Sequence, residues 1–153
     1  MDNPMNEVVK QLGAMVGLPS LAPDEDGFCF LRIEDDTEVG IGVSPSGDRL
    51  VLFSVLEKGL PSHPSQSWLK KVLAQALNPL AHMDQPGIGY DPRFDSLVAY
   101  FTFIREAVEV PKVENRMLSL ASWCREWKRN INVEEPKMSA AATERLPAFI
   151  NFC

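Results

Sequence analysis

Few residues in this chain offer reactive chemistry, and their surroundings decide what each one can do. Of the two histidines, His63 stands between prolines and His82 in a loop segment, and neither has a carboxylate or cysteine at motif spacing. Both read as surface loop residues. The run Asp24-Glu25-Asp26-Gly27 resembles part of a calcium loop, but Ala22 and Pro23 occupy the preceding ligand positions and no glutamate closes it. Gly40-Ile41-Gly42 lies inside a strand pattern and Gly87-Ile88-Gly89 opens one. Neither leads into a helix whose N-terminus would receive a phosphate. The acids Glu34, Asp35, Asp36 and Glu38 crowd one hairpin tip, which a solvated turn explains better than an acid and base pair. Three cysteines, Cys29, Cys124 and Cys153, form neither a CxxC nor an even set, so no disulfide framework or zinc site is expected. Cys29 and Cys124 read as small buried hydrophobes. No catalytic constellation, cofactor or metal is expected, and binding becomes the leading class.

Composition points the same way. The chain has 153 residues, 45% of them hydrophobic, enough for a single core. Fifteen Lys and Arg against twenty-one Asp and Glu give a net charge of -6, which opposes nucleic-acid binding and suits a basic partner. Met1 to Glu7 shows no basic start and no apolar export segment, and no stretch approaches a membrane span. Residence in the reducing compartment of synthesis, without membrane insertion, is the expectation.

The elements that position these residues follow from periodicity. Met5, Val8, Val9, Leu12, Met15 and Val16 fall at helical spacing behind Asn3 and Pro4, predicting a first helix from about Asn3 to Val16. A strand begins at Phe28, Asp35-Asp36 turns it, and Thr37 to Ser44 returns with Val39, Ile41 and Val43 on one face and Glu38, Gly40, Gly42 and Ser44 on the other. A third strand, Arg49 to Leu56, is apolar on both faces. Pro64 opens a second helix with the stripe Trp68, Leu69, Val72, Leu73, Ala76 and Leu77, closed by Asn78-Pro79. Two further strands, Gly87 to Asp91 and Ser96 to Glu106, precede a last helix from Pro111, with Met117, Leu120, Ala121, Cys124, Trp127 and Ile131 facing inward. The order α-β-β-β-α-β-β-α predicts an α+β domain with an antiparallel, strongly twisted sheet of about five strands and three helices. That domain is placed at residues 1–132. Residues 133–153 form an extension with a short helix near Ser139 to Leu146 and an apolar end at Phe149 to Phe152.

Two strands carry more apolar surface than helices on one sheet face can cover. If Cys29, Leu31 and Ile33 enter the core, Phe28 and Phe30 point outward beside Arg32, facing the smooth surface of Gly40 and Gly42. Such a surplus predicts dimerisation, peptide binding or both.

From Gly17-Leu18-Pro19 through Asp24-Glu25-Asp26-Gly27 into Phe28-Cys29-Phe30-Leu31-Arg32-Ile33, the chain resembles the class I type III secretion chaperones, the Tir chaperone family. The element order matches, as does a closing helix bearing Trp123, Arg125, Glu126 and Trp127, and the likeness covers about Asn3 to Asn132. The resemblance implies an acidic homodimer of the bacterial cytoplasm. It would hold the N-terminal chaperone-binding segment of a secreted effector extended and soluble, and present it to the secretion apparatus, with the secretion ATPase as a further contact, without itself using ATP. Effector binding falls to Phe28, Phe30 and Arg32, with Gly40 and Gly42 as floor and Met5 and Val9 as walls. The family's dimer axis places Trp68, Val72, Gln75, Ala76, Tyr90 and Phe94 at the interface. The alternative left open is an adapter or regulatory binding protein of the same fold, not tied to secretion.

Overall fold

The computed structural model describes residues 3–34 and 37–134. The expected turn at Asp35-Asp36 and the expected features of the tail beyond Glu134 lie outside them. The elements are α1 (Pro4–Met15), β1 (Phe28–Ile33), β2 (Thr37–Val43), β3 (Arg49–Lys58), α2 (Gln66–Ala76), α3 (Asn78–Ala81), β4 (Gly87–Asp91), β5 (Ser96–Ile104), a short 3-10 turn (Arg105–Ala107) and α4 (Val110–Glu134). Five strands form one sheet in the order β1-β2-β3-β5-β4, so β1 and β4 are its edges. The α+β class, the sheet and its three long helices are as the periodicity predicts.

Contacts group the chain into two compact units, one comprising residues up to Ser54 with Tyr100–Ser122, the other Val55–Ala99 with the chain from Trp123 onward. In the first unit, α1 starts where Asn3 accepts a hydrogen bond from the Met5 amide, with Pro4 at the first helical position. The Asn3 Nδ2 also donates to the Ser44 carbonyl at 2.9 Å, tying the helix cap to the turn between β2 and β3. That turn admits the cap because Gly47 has φ +69°, and a β-carbon there would stand 2.7 Å from Asn3 Oδ1. Met5, Val9 and Leu12 of α1 are fully buried, as are Val39, Ile41, Leu50 and Leu52 of the strands and Val113, Met117 and Leu120 of α4. This core uses alternate residues of each strand and the inward stripe of each helix, the arrangement a one-sided core requires.

In the second unit, Ser65 caps α2 by accepting from the Trp68 amide at 3.0 Å. α2 ends at Ala76, just before Asn78-Pro79 as expected, but a further short helix follows, with Pro79 in the first turn of α3, where its missing N–H costs nothing. Asn78 is buried and its Nδ2 donates to Gln75 Oε1 and to the Pro86 carbonyl, fixing the junction of the two helices. The apolar stripe of α2 divides: Trp68 is buried, whereas Leu73 and Leu77 are exposed.

Candidate functional site

The first unit presents an aromatic row on the sheet face opposite its core. β1 pairs with β2 in the register Phe28↔Gly42, Phe30↔Gly40 and Arg32↔Glu38, and β2 pairs with β3 as Gly40↔Phe53 and Gly42↔Val51. Burial alternates along β1, so Cys29, Leu31 and Ile33 enter the core while Phe28 and Phe30 remain 40% and 54% exposed. Phe53 meets both rings edge-to-face, with centroids 6.1 Å from Phe28 and 5.8 Å from Phe30. Arg32 continues the row as an exposed cation. Farther across the sheet, the alternation of β5 leaves Tyr100 half-buried and Ile104 exposed in this unit.

The glycines do not leave the open groove expected of them. A β-carbon on Gly40 would stand 2.6 to 2.7 Å from ring carbons of Phe53, and one on Gly42 would stand 3.1 Å from Phe28 Cε1. The rings lie on the glycines, so the surface is a low aromatic platform resting on bare backbone. Met5 and Val9 are 1% and 0% exposed, so they do not form its walls. The core takes Met5, Val9 and Leu12 of the α1 stripe, while Met15 at its end is exposed. Phe53 was missed by the sequence reading; its signal was its place in an alternating strand directly across from a glycine.

The edge of β1 adds main-chain groups to this platform. The Val43 amide donates to the Gly27 carbonyl at 2.8 Å, which fixes the phase of the ladder. Residues Cys29, Leu31 and Ile33 therefore turn their main chain toward β2, and Phe28, Phe30 and Arg32 turn theirs to the open edge. At Phe28 the edge is already covered. Its carbonyl accepts from the Asp24 amide at 2.7 Å, and its amide donates to Asp24 Oδ1 at 2.9 Å.

In the second unit, Leu73, Leu77, Leu80, Met83, Tyr90 and Phe94 are all exposed, Leu80 to 85%. Of the six residues the resemblance assigned to an interface, Tyr90, Phe94 and Ala76 are exposed, Val72 and Gln75 half-buried, and Trp68 buried. Trp68 fills the unit's own core and is not offered to a partner. Leu73, Leu77, Leu80 and Met83 are exposed apolar residues of the same unit outside that set, the first two from the stripe of α2.

His63 and His82 are both exposed, and among the described residues no cluster of metal-ligating side chains occurs. Burial, helped by the nearby charge of Asp24, pushes the Cys29 thiol up to about 11, far from a reactive thiolate at neutral pH. No helix of the described residues is long and apolar enough to cross a membrane.

The site in the first unit is an aromatic platform beside the β1 edge, in an α+β frame. The chain belongs to the Tir chaperone protein (CesT) family, whose model matches residues 7–127, and it is thereby a chaperone of the type III secretion class. A search of curated proteins finds no match. Among solved structures, a chain of the HopA1-SchA chaperone-effector complex is similar with a TM-score of 0.70 and 26% identity, over 82% of this chain and 93% of that one. A chain of the ExsC-ExsE complex aligns with a TM-score of 0.64 and 19% identity, over 82% and 91%. The Yersinia pestis type III secretion chaperone SycH, in complex with a fragment of YscM2, aligns with a TM-score of 0.60 and 17% identity, over 79% and 97%.

Proposed function

We propose that this chaperone binds the N-terminal chaperone-binding segment of a secreted effector in non-globular form on the outer face of β1 to β3. The observation that carries the reading is the exposed row Phe28, Phe30 and Phe53 beside the open main chain of β1. An extended segment adds a strand to that edge while its alternate side chains rest on the rings, so main-chain bonds give grip and side-chain packing gives choice. Ordering a disordered client costs conformational entropy, which a preformed aromatic surface offsets through apolar burial.

The protein acts as a homodimer in the bacterial cytoplasm, joined through the apolar side chains of α2, α3 and β4, and performs no catalysis. The binding body is residues 1–132, with 133–153 as an extension, and the secretion ATPase is a further contact of the loaded complex. The experiment is a pull-down of the tagged full chain from its host, followed by limited proteolysis and mass spectrometry of what stays bound. A protected N-terminal segment of a secreted protein is the expected result. Recovery of cytoplasmic enzymes or regulators alone would instead identify an adapter of the same fold.

A further inference from the structure

The β1 edge is short, and its limits are set by named groups. With Phe28 satisfied by Asp24, the main-chain groups in this part of the edge without a partner among the described residues belong to Phe30 and Arg32, one N–H and one C=O each. Asp24 is itself held in place, because its Oδ1 also accepts from the Asp26 amide at 3.0 Å and its carbonyl accepts from the Gly27 amide at 3.0 Å. An incoming strand therefore meets a built stop at Phe28 and pairs beside Phe30 and Arg32.

Side chains of Phe30 and Arg32 stand two residues apart on the same face, so the client residues beside them are also two apart. One rests against the ring of Phe30, which Phe53 backs from the sheet side. The other lies beside a guanidinium that, among the described residues, makes no hydrogen bond or ion pair, even with its cross-strand neighbour Glu38. A cation without a partner among the described residues is a local exception to the net charge of -6, and it suits a carboxylate.

We propose that the client segment carries an apolar residue and an acidic residue separated by one position, the acid pairing with Arg32 and Asp24 setting the register. This rests on the binding reading given above and supplies its sequence preference. The net acidity of the chaperone favours basic residues elsewhere in the client, so one acid at this position fixes alignment where a uniformly basic segment would slide.

The test is selection of a displayed library of random linear peptides on the full-length protein and on its Arg32→Glu and Phe30→Ser variants, each first shown to be folded by circular dichroism. Wild-type protein should enrich peptides with Asp or Glu one residue removed from an aliphatic or aromatic residue. Arg32→Glu should enrich Lys or Arg at that position and bind the original peptides about tenfold more weakly. Amide exchange should show Phe30 and Arg32 gaining protection in the complex, with Phe28 already protected in the free protein. Peptides bound equally by Arg32→Glu, yet lost with Phe30→Ser, overturn the acidic preference and leave the platform standing. Failure to enrich any peptide, or enrichment indifferent to Phe30→Ser, overturns the platform and the preference together.

Discussion

The ring of Phe53 occupies the space that a side chain at position 40 would need, with Cε2 only 2.6 Å from where a β-carbon on Gly40 would sit. The two residues are direct partners across β2 and β3, so neither can change without the other responding. Gly40→Ala should lower stability by about 1–2 kcal/mol, since Phe53 is half-buried and can swing outward at the loss of its packing on Phe28 and Phe30. Urea midpoints should show the loss, and adding Phe53→Leu should recover most of it. An equal loss in the double variant would mean that the backbone, and not the ring, sets the cost.

Phe30→Ser should separate folding from binding. The side chain is 54% exposed, so stability should change by less than about 1 kcal/mol. Retention of the effector segment in a pull-down should fall about tenfold or more, the behaviour of an interface anchor. A variant that unfolds, or one that keeps its client, would remove Phe30 from the binding surface.

Assembly should respond to the second unit alone. Leu73→Glu with Leu80→Glu places carboxylates at two exposed apolar positions of α2 and α3. Sedimentation equilibrium should move the protein from twice 17.1 kDa to a single chain, with helix content retained. A dimer that survives both changes would place the interface elsewhere.

Alkaline stability should depend on Cys29. Its thiol titrates near 11 in the folded state against 9.0 for the free group, so above pH 9 the unfolded chain loses this proton first. The contribution is fully present below pH 9 and declines as pH rises toward 11, by an order of about 2 kcal/mol in total. Urea titrations between pH 8 and 11 should show a shallower decline for Cys29→Ala than for the parent. Parallel curves would show that other groups govern the alkaline limb.

Asn3→Ala should cost about 1 kcal/mol as a helix cap, with a further loss from the bond to the Ser44 carbonyl. Thermal unfolding measures the sum. Asn3→Ser keeps the capping oxygen without the amide donor, so its difference from Asn3→Ala isolates the cap.

Much of this was legible because strands have a strict period of two. Val39, Ile41 and Val43 fixed which face of β2 is buried, and the short hairpin then set Phe30 opposite Gly40. The helices were less legible. A helix with apolar residues around more than one face does not announce which face meets its own core, so the stripe from Trp68 to Leu77 does not by itself single out Trp68, the buried residue of α2. Asn78-Pro79 marked the end of α2 but gave no sign of α3, since the same residue that stops one helix is favoured in the first turn of the next. The burial of Met5 and Val9 depends on what packs against α1, which periodicity does not encode. Phe53 was hidden among apolar neighbours, and only the register across β2 distinguishes it.

An exposed strand edge normally invites a second copy to pair with it, and long flat edges polymerise. The fold-back of Asp24 onto Phe28 shortens this edge to a two-residue notch, and Arg32 bounds the notch with a charge. Self-pairing there gains few ladder bonds, whereas the client proposed above would add the packing of the aromatic platform to them. Of the two edges of the sheet, the one beside the platform is thereby a poor template for a second copy.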